Sequence, residues 1–302
     1  MQKTNFDYEI LIGEDCSTDN TRLIVEEYVQ KYPEKIRIIT SENNVGAKVN
    51  SKRVFNASKG KYIADCEGDD YWIDPYKLQK QVDYLEGNSE CTLCFHNAYI
   101  QNVRKDNSVY LKNTLINKAN PNYRGANSNY NTGELALLGF IPTASYIYPK
   151  HIMESPPKWY EYAIVGDNAM KLIASSKGYA HYLDEVMSVY RVGVKGSVTD
   201  NWRKESLDVN KQINKNKGFI ELFENINKFS DYKYYNELDL SKIPFEVQIH
   251  LLERNKKELK KARYSNYVAN LSIKDKLKYY IRLYFPNNYI LLLRFRKYLL
   301  MF

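Results

Sequence analysis

Cysteine and histidine are scarce in this chain, with four of each among 302 residues. Cys16, Cys66, Cys91 and Cys94 are too few for a disulfide scaffold, and with no signal-peptide pattern over the first residues a reducing cytoplasm is the expected compartment. Cys91 and Cys94 form one CxxC beside His96; a structural zinc site needs four ligands, so both read as buried core cysteines. His96, His151, His181 and His250 share no spacing that argues for a metal. No uncharged run reaches the roughly 18–20 residues a spanning helix needs, which excludes a transmembrane helix on length. Walker lysine loop, GxGxxG and GxSxG patterns are also missing, removing the commonest nucleotide-hydrolase, dinucleotide-binding and serine-hydrolase signatures.

What is present is an ordinary globular composition, 44% hydrophobic and 26% charged, so wholesale disorder is excluded. Forty-four Lys plus Arg against 36 Asp plus Glu leave a net charge of +8, which favours anionic partners such as nucleotides, nucleic acid or an acidic membrane face. The 28 tyrosines suit sugar stacking, interfacial anchoring or plain packing.

The first hundred residues alternate between two periodicities. Tyr8–Ile12, Ile36–Thr40 and Tyr62–Cys66 read as strands. Between them lie helical patterns, one with Leu23, Ile24, Tyr28 and Val29 on a single face, another carrying Val49, Val54 and Phe55. Asp74-Pro75 opens a further helix, with Leu78, Val82 and Leu85 facing inward. Strands alternating with helices of this length predict βαβ units and a mostly parallel sheet, an α/β fold. Gln101–Thr132 is polar and Asn-rich, the composition of a long loop. Beyond Trp202 only helical patterns continue. The chain therefore divides into an α/β region over 1–200 and a helical region over 201–302.

Carboxylates concentrate at strand ends. Asp65, Glu67, Asp69 and Asp70 occupy four of six positions after one strand, a repulsive arrangement unless a cation or a hydrogen-bonding shell offsets it. Hard divalent ions such as Mg²⁺ or Mn²⁺ bridge carboxylates to phosphate oxygens, so the turn reads as a metal–phosphate site with Asp69 as the best ligand. A solvated acidic turn, with Asp70 and Asp74 capping the helix, is the other reading. A second acidic turn, Glu14-Asp15-Cys16-Ser17-Thr18-Asp19, also follows a strand. Glu14 and Asp15 are not needed for capping there, which leaves them free to accept from a ligand, and the two turns are expected along one sheet edge. Asp167 begins a later helical stretch, either as its N-cap or as a general base brought to the cleft.

The order of these motifs resembles the family-2 glycosyltransferases of the GT-A fold. The turn Glu14–Asp19 is similar to their DDGSTD-like motif, and Asn44-Val45-Gly46 to their NxG. Gly60–Ala64, leading to Glu67-Gly68-Asp69-Asp70-Tyr71-Trp72 and Asp74-Pro75, resembles their strand–DxD–helix segment. The resemblance spans residues 7–195 and implies a Rossmann-like sheet flanked by helices. It also implies an enzyme that moves a sugar, with inversion, from a nucleotide diphosphate sugar, most often UDP-linked, to a glycan or lipid-linked acceptor. By this resemblance Glu14, Asp15 and Asn44 lie on the nucleotide-sugar side. Glu67 and Asp69 hold the nucleotide sugar and Mn²⁺ or Mg²⁺, and Asp167 is the catalytic base. Family members open with a strand and helix ahead of the segment matched here, so the expectation is an N-terminally incomplete sheet and weak or absent turnover. A non-catalytic nucleotide-sugar or glycan-binding module is the alternative.

The last segment, 274–302, interleaves Tyr279, Tyr280, Leu283, Tyr284 and Phe285 with Lys276, Lys278 and Arg282. This suits either an in-plane helix on an anionic membrane surface or a terminal helix pair packed on its own domain. Nothing resembles a nucleic-acid recognition helix or RNA-binding motif, and nucleic acid is excluded as a partner.

Overall fold

A computed structural model describes residues 1–103, 120–289 and 291. The α/β region runs β1 (Ile10–Gly13), α1 (Thr21–Lys31), β2 (Ile36–Ile39), α2 (Ala47–Ala57), β3 (Tyr62–Ile63), β4 (Tyr71–Trp72), α3 (Lys77–Gly87) and β5 (Cys91–Asn102). It continues with β6 (Asn129–Tyr130), α4 (Thr132–Leu138), β7 (Tyr148–Pro149), α5 (Gly166–Ser176) and β8 (Tyr179–Val192). Helices then follow: α6 (Val198–Lys204), α7 (Val209–Phe229), α8 (Tyr235–Leu252), α9 (Lys256–Leu259), α10 (Ala262–Ala269) and α11 (Ile273–Tyr284).

The two longest ladders are parallel. β1 pairs β2 from Ile10↔Ile36 to Gly13↔Ile39, and β5 pairs β8 from Cys91↔Tyr179 to Asn102↔Val192. Short antiparallel partners complete the sheets: β3 with β7, and β4 and β6 with β8. β5 is buried without a break from Cys91 to Ala98, covered on both faces, with Leu93, Cys94, Phe95 and Ala98 fully buried. Cys91 and Cys94 are both buried free thiols, as their spacing suggested.

One core joins both regions. Leu93, Phe95, Tyr146, Leu172, Ile173 and Tyr182 pack with Leu222, Phe223 and Ile226 of α7 and Leu238 of α8. A second cluster, Val247, Leu251, Leu259, Tyr264, Val268 and Tyr279, gathers the end of α8 with α9–α11. The change of composition near residue 200 thus marks a change of secondary structure, while the packing runs through it.

Several sequence expectations differ from the structure. Leu23, Ile24 and Tyr28 of α1 face solvent, at 61%, 52% and 51% exposure, and Val25 is the residue that turns inward. α3 starts at Lys77 because Asp74 spends its carboxylate on the Tyr76 amide, 2.7 Å, one turn earlier. Part of the expected 101–132 loop is ordered: β6 pairs β8, and Asn131 and Glu134 form a reciprocal capping box that starts α4. Residues 104–119 of that stretch, and 290 and 292–302 of the basic aromatic tail, lie outside the described residues.

Candidate active site

The acidic turn sits between β3 and β4, and its shape is fixed from β8. The Arg191 amide donates to Asp70 Oδ1 at 2.8 Å, and the Arg191 guanidinium donates to the Asp69 carbonyl. Asp70 is buried, and its other oxygen, Oδ2, has no partner. Burial pushes the Asp70 carboxyl up to about 6. Asp65 accepts from the Tyr148 hydroxyl at 3.3 Å, and burial likewise lifts it to about 6. Glu67 has much of its surface open to solvent, yet its carboxyl is walled in by its neighbours. Desolvation, then the charges of Asp167, Asp70 and Asp69, push it up to about 7.

Asp167 arrives from the far side of the chain. α5 is anchored by buried Met170, Leu172, Ile173 and Ala174, which sets its first turn over the cleft. Thr143, buried in a short turn after α4, donates from Oγ1 to Asp167 Oδ2 at 3.1 Å, and its hydroxyl also contacts Glu67. Asp167 Oδ1 accepts from its neighbour Asn168 at 2.8 Å; Val165 occupies the N-cap position, so Asp167 does not cap the helix. The acidic turn and Asp167 therefore share one pocket of charge, roofed by Tyr146 and Tyr160, whose hydroxyls feel both Asp65 and Asp167.

Beneath the turn lies a cation with no local signature in the sequence. Lys77 is fully buried, its ammonium 4.2 Å from the centre of the Trp72 ring and without a hydrogen-bond partner. Burial drops it to about 7, while Cys66, Cys94 and Asp65 pull the other way. Lys171, one turn along α5 from Asp167, donates to the Gly139 carbonyl at 2.6 Å and ties α5 to the end of α4.

The other acidic turn is spent internally. Glu14 is buried and accepts from the Ser17 amide at 2.6 Å and Thr40 Oγ1 at 3.0 Å; the Ser17 bond holds its carboxyl below the ordinary range. Asp15 accepts from the amides of Val45, 2.7 Å, and Gly46, 2.8 Å, while the Asn44 side chain donates to the Asp15 carbonyl at 2.8 Å. Glu14 and Asp15 are thus not free acceptors. They knit the DDGSTD-like turn to the NxG loop, where Gly46 adopts φ +83° to lead into α2. Nor do the two acidic turns share a ladder: β1 pairs only β2 and β3 only β7 among the described residues, so the common sheet edge expected from sequence is not formed.

The donor set suits a hard divalent ion, since every candidate ligand is a carboxylate oxygen and the orphaned Asp70 Oδ2 marks unspent acceptor capacity. Among the described residues no three side chains already converge as a preformed metal group. An ion here would complete its sphere with phosphate oxygens and water, as Mg²⁺ commonly does.

Residues 1–143 match the family described as Glycosyl transferase family 2. An uncharacterized protein of Mycobacterium tuberculosis is 35% identical over 203 residues, covering 63% of this chain and 51% of the relative, so the chain spans about half the length of that relative. Among solved structures, Staphylococcus aureus TarS superposes with a TM-score of 0.54 at 13% identity, over 92% of this chain and 43% of TarS. The Pyrobaculum calidifontis mannosyltransferase PcManGT, solved with GDP-Man and Mn²⁺, superposes with a TM-score of 0.51 at 11% identity, over 97% of this chain and 79% of the other. At those identities the likeness establishes the fold, and that fold is GT-A.

Proposed function

This chain carries a glycosyl transferase family 2 region over residues 1–143, and on that premise we propose that it moves a sugar from a nucleoside diphosphate sugar, UDP-linked, to a glycan or lipid-linked acceptor with inversion. The observation that carries the reading is the meeting of Asp167 with the Asp65–Asp70 turn, a hundred residues apart in sequence and joined through Thr143.

In this reading Asp167 accepts the proton of the acceptor hydroxyl as that oxygen forms its bond to the anomeric carbon and the diphosphate leaves from the opposite face. One displacement by one nucleophile inverts the centre, the geometric logic that also governs inverting glycoside hydrolysis. Thr143 holds Asp167 Oδ2 and so aims the carboxylate. Asp69 and Glu67 would hold Mn²⁺ or Mg²⁺, which when bound supplies electrostatic stabilisation of the departing diphosphate. Arg191 fixes the backbone that presents Asp69. Asn44 and Asp15 frame the nucleotide side, with Asp15 acting mainly through the loop it orders and Glu14 through the turn it braces.

The support for an ion comes from the donor chemistry and from a fold-mate solved with GDP-Man and Mn²⁺. Support for a membrane surface comes from α11. Ile273, Leu277, Tyr280 and Tyr284 form one exposed stripe at i, i+4, i+7 and i+11, beside Lys274, Lys276 and Lys278, while Tyr279 and Leu283 pack inward. The in-plane and packed readings of this segment are therefore compatible: opposite faces of one helix serve each.

A second reading, a non-catalytic nucleotide-sugar-binding module, is favoured by one observation, the internal use of both Glu14 and Asp15. Metal-dependent release of UDP from UDP-sugars separates the two. The enzyme reading expects release that Asp167→Asn abolishes; UDP binding without any release, at verified folding, would favour the module.

A further inference from the structure

Sharing no lining residue with the carboxylate cleft, α7, α8, α11 and the residues that follow it line a half-open pocket of about 290 Å³. Its polar wall includes Arg254, Arg282, Gln248 and Asn216, and its apolar wall Leu251 and Tyr289. Among the described residues no acidic side chain lines it. Arg282 is half-buried, donates to Gln248 Oε1 and lies 5.0 Å from the centre of the Tyr289 ring. Burial lowers its pKa from the ordinary arginine value, the sign of a cation set in a desolvated wall. Arg254 donates to Asn287 Oδ1 at 3.3 Å. Neither guanidinium has a carboxylate partner among the described residues, although the nearby Arg263 has two, Asp239 and Glu246. Arg254 also takes φ +58° where α8 ends, a left-handed position that favours glycine or asparagine, and here it turns a guanidinium toward the cavity mouth.

We propose that this cavity binds the phosphate group of an anionic amphiphile, its oxygens received by Arg254 and Arg282 and its first carbons by the Leu251 and Tyr289 wall. Two guanidiniums without a carboxylate partner among the described residues offer the forked donors that phosphate oxygens match. Half of the lining is apolar, which a free inorganic ion would leave unused. The exposed α11 stripe ends beside the same cavity, so a headgroup drawn from a lipid surface would reach it as the helix lies on that surface. The inference rests on the membrane reading of α11 only for the source of the phosphate and is independent of the transferase reading.

The test titrates the full chain calorimetrically with water-soluble dihexanoyl phosphatidic acid and, separately, with inorganic phosphate. The expected result is saturable one-to-one binding of the short-chain lipid, at least tenfold tighter than phosphate. Arg254→Gln with Arg282→Gln should weaken it at least tenfold, with UDP and Mn²⁺ binding unchanged. Arg254→Gln alone, at an exposed position, should weaken it severalfold without altering the melting curve. No binding by the wild-type chain, or equal binding by either variant, overturns the proposal. Equal affinity for inorganic phosphate overturns the amphiphile and leaves a free-anion site. Sedimentation with vesicles of phosphatidylcholine and phosphatidylglycerol keeps the two readings apart. Leu277→Ser with Tyr280→Ser should abolish vesicle binding yet spare the short-chain lipid. Wild-type failure to sediment with retained lipid titration would sink the membrane reading alone.

Discussion

Thr143 Oγ1 donates to Asp167 Oδ2 at 3.1 Å while its hydroxyl touches Glu67, so one side chain links the helix-borne carboxylate to the acidic turn. If Asp167 is the base, its alignment depends on that bond. Thr143→Val should lower the turnover rate about tenfold with little change in donor affinity, and Thr143→Ser should restore most of it. Steady-state kinetics on both variants check this; a loss confined to donor KM would contradict it. Asp167→Asn should cost about 10²–10⁴-fold, the usual worth of a positioned base.

Asp65 is raised to about 6 from an ordinary 3.8, mainly by burial. The folded state then binds a proton that the unfolded chain releases between pH 4 and 6, so this group's contribution to stability falls as pH rises through that window. Asp65→Asn removes the dependence. The variant should gain on the wild type as pH goes from 4 to 7, by about 2 kcal/mol at the upper end. Denaturant melts at pH 4, 5, 6 and 7 measure the gap, and a gap that shrinks with pH would be the wrong sign.

Arg191 grips the acidic turn twice, once by its amide and once by its side chain. Arg191→Ala keeps the amide bond to Asp70 and loses the guanidinium bond to the Asp69 carbonyl. A cost of about 1–2 kcal/mol in stability is expected, together with weaker ion-dependent nucleotide binding. Unchanged binding would mean that the turn holds its shape without Arg191.

Leu172 is fully buried on the inward face of α5, the helix that also carries Asp167. Leu172→Ala should destabilise the chain by about 2–4 kcal/mol and, where folded, reduce turnover more than nucleotide binding. Chemical denaturation and kinetics on the same preparation distinguish the two effects.

Much of this was legible in the residues. The strand–helix alternation, the buried Cys91 and Cys94, the inward face of α3 and the helical region after Trp202 follow from periodicity, because each involves residues that make their own local pattern. The acidic turn was legible because four carboxylates in six positions demand a partner. What sequence could not give is what tertiary contact decides. α1 presents Leu23, Ile24 and Tyr28 to solvent, and Val25 is the one residue of the helix that is buried. Glu14 and Asp15 look free in a linear reading, but the loop at Asn44–Gly46 folds back to claim Asp15. Thr143, Arg191 and Lys77 carry no local signature.

The central claim is that the Asp69 turn holds a divalent ion that in turn holds a nucleoside diphosphate. Calorimetric titration of UDP into the wild-type chain and Asp69→Ala, with and without Mn²⁺, tests it most directly. Binding that needs the ion and falls at least tenfold in Asp69→Ala is the expected result. Equal affinity without the ion, or in the variant, would contradict it.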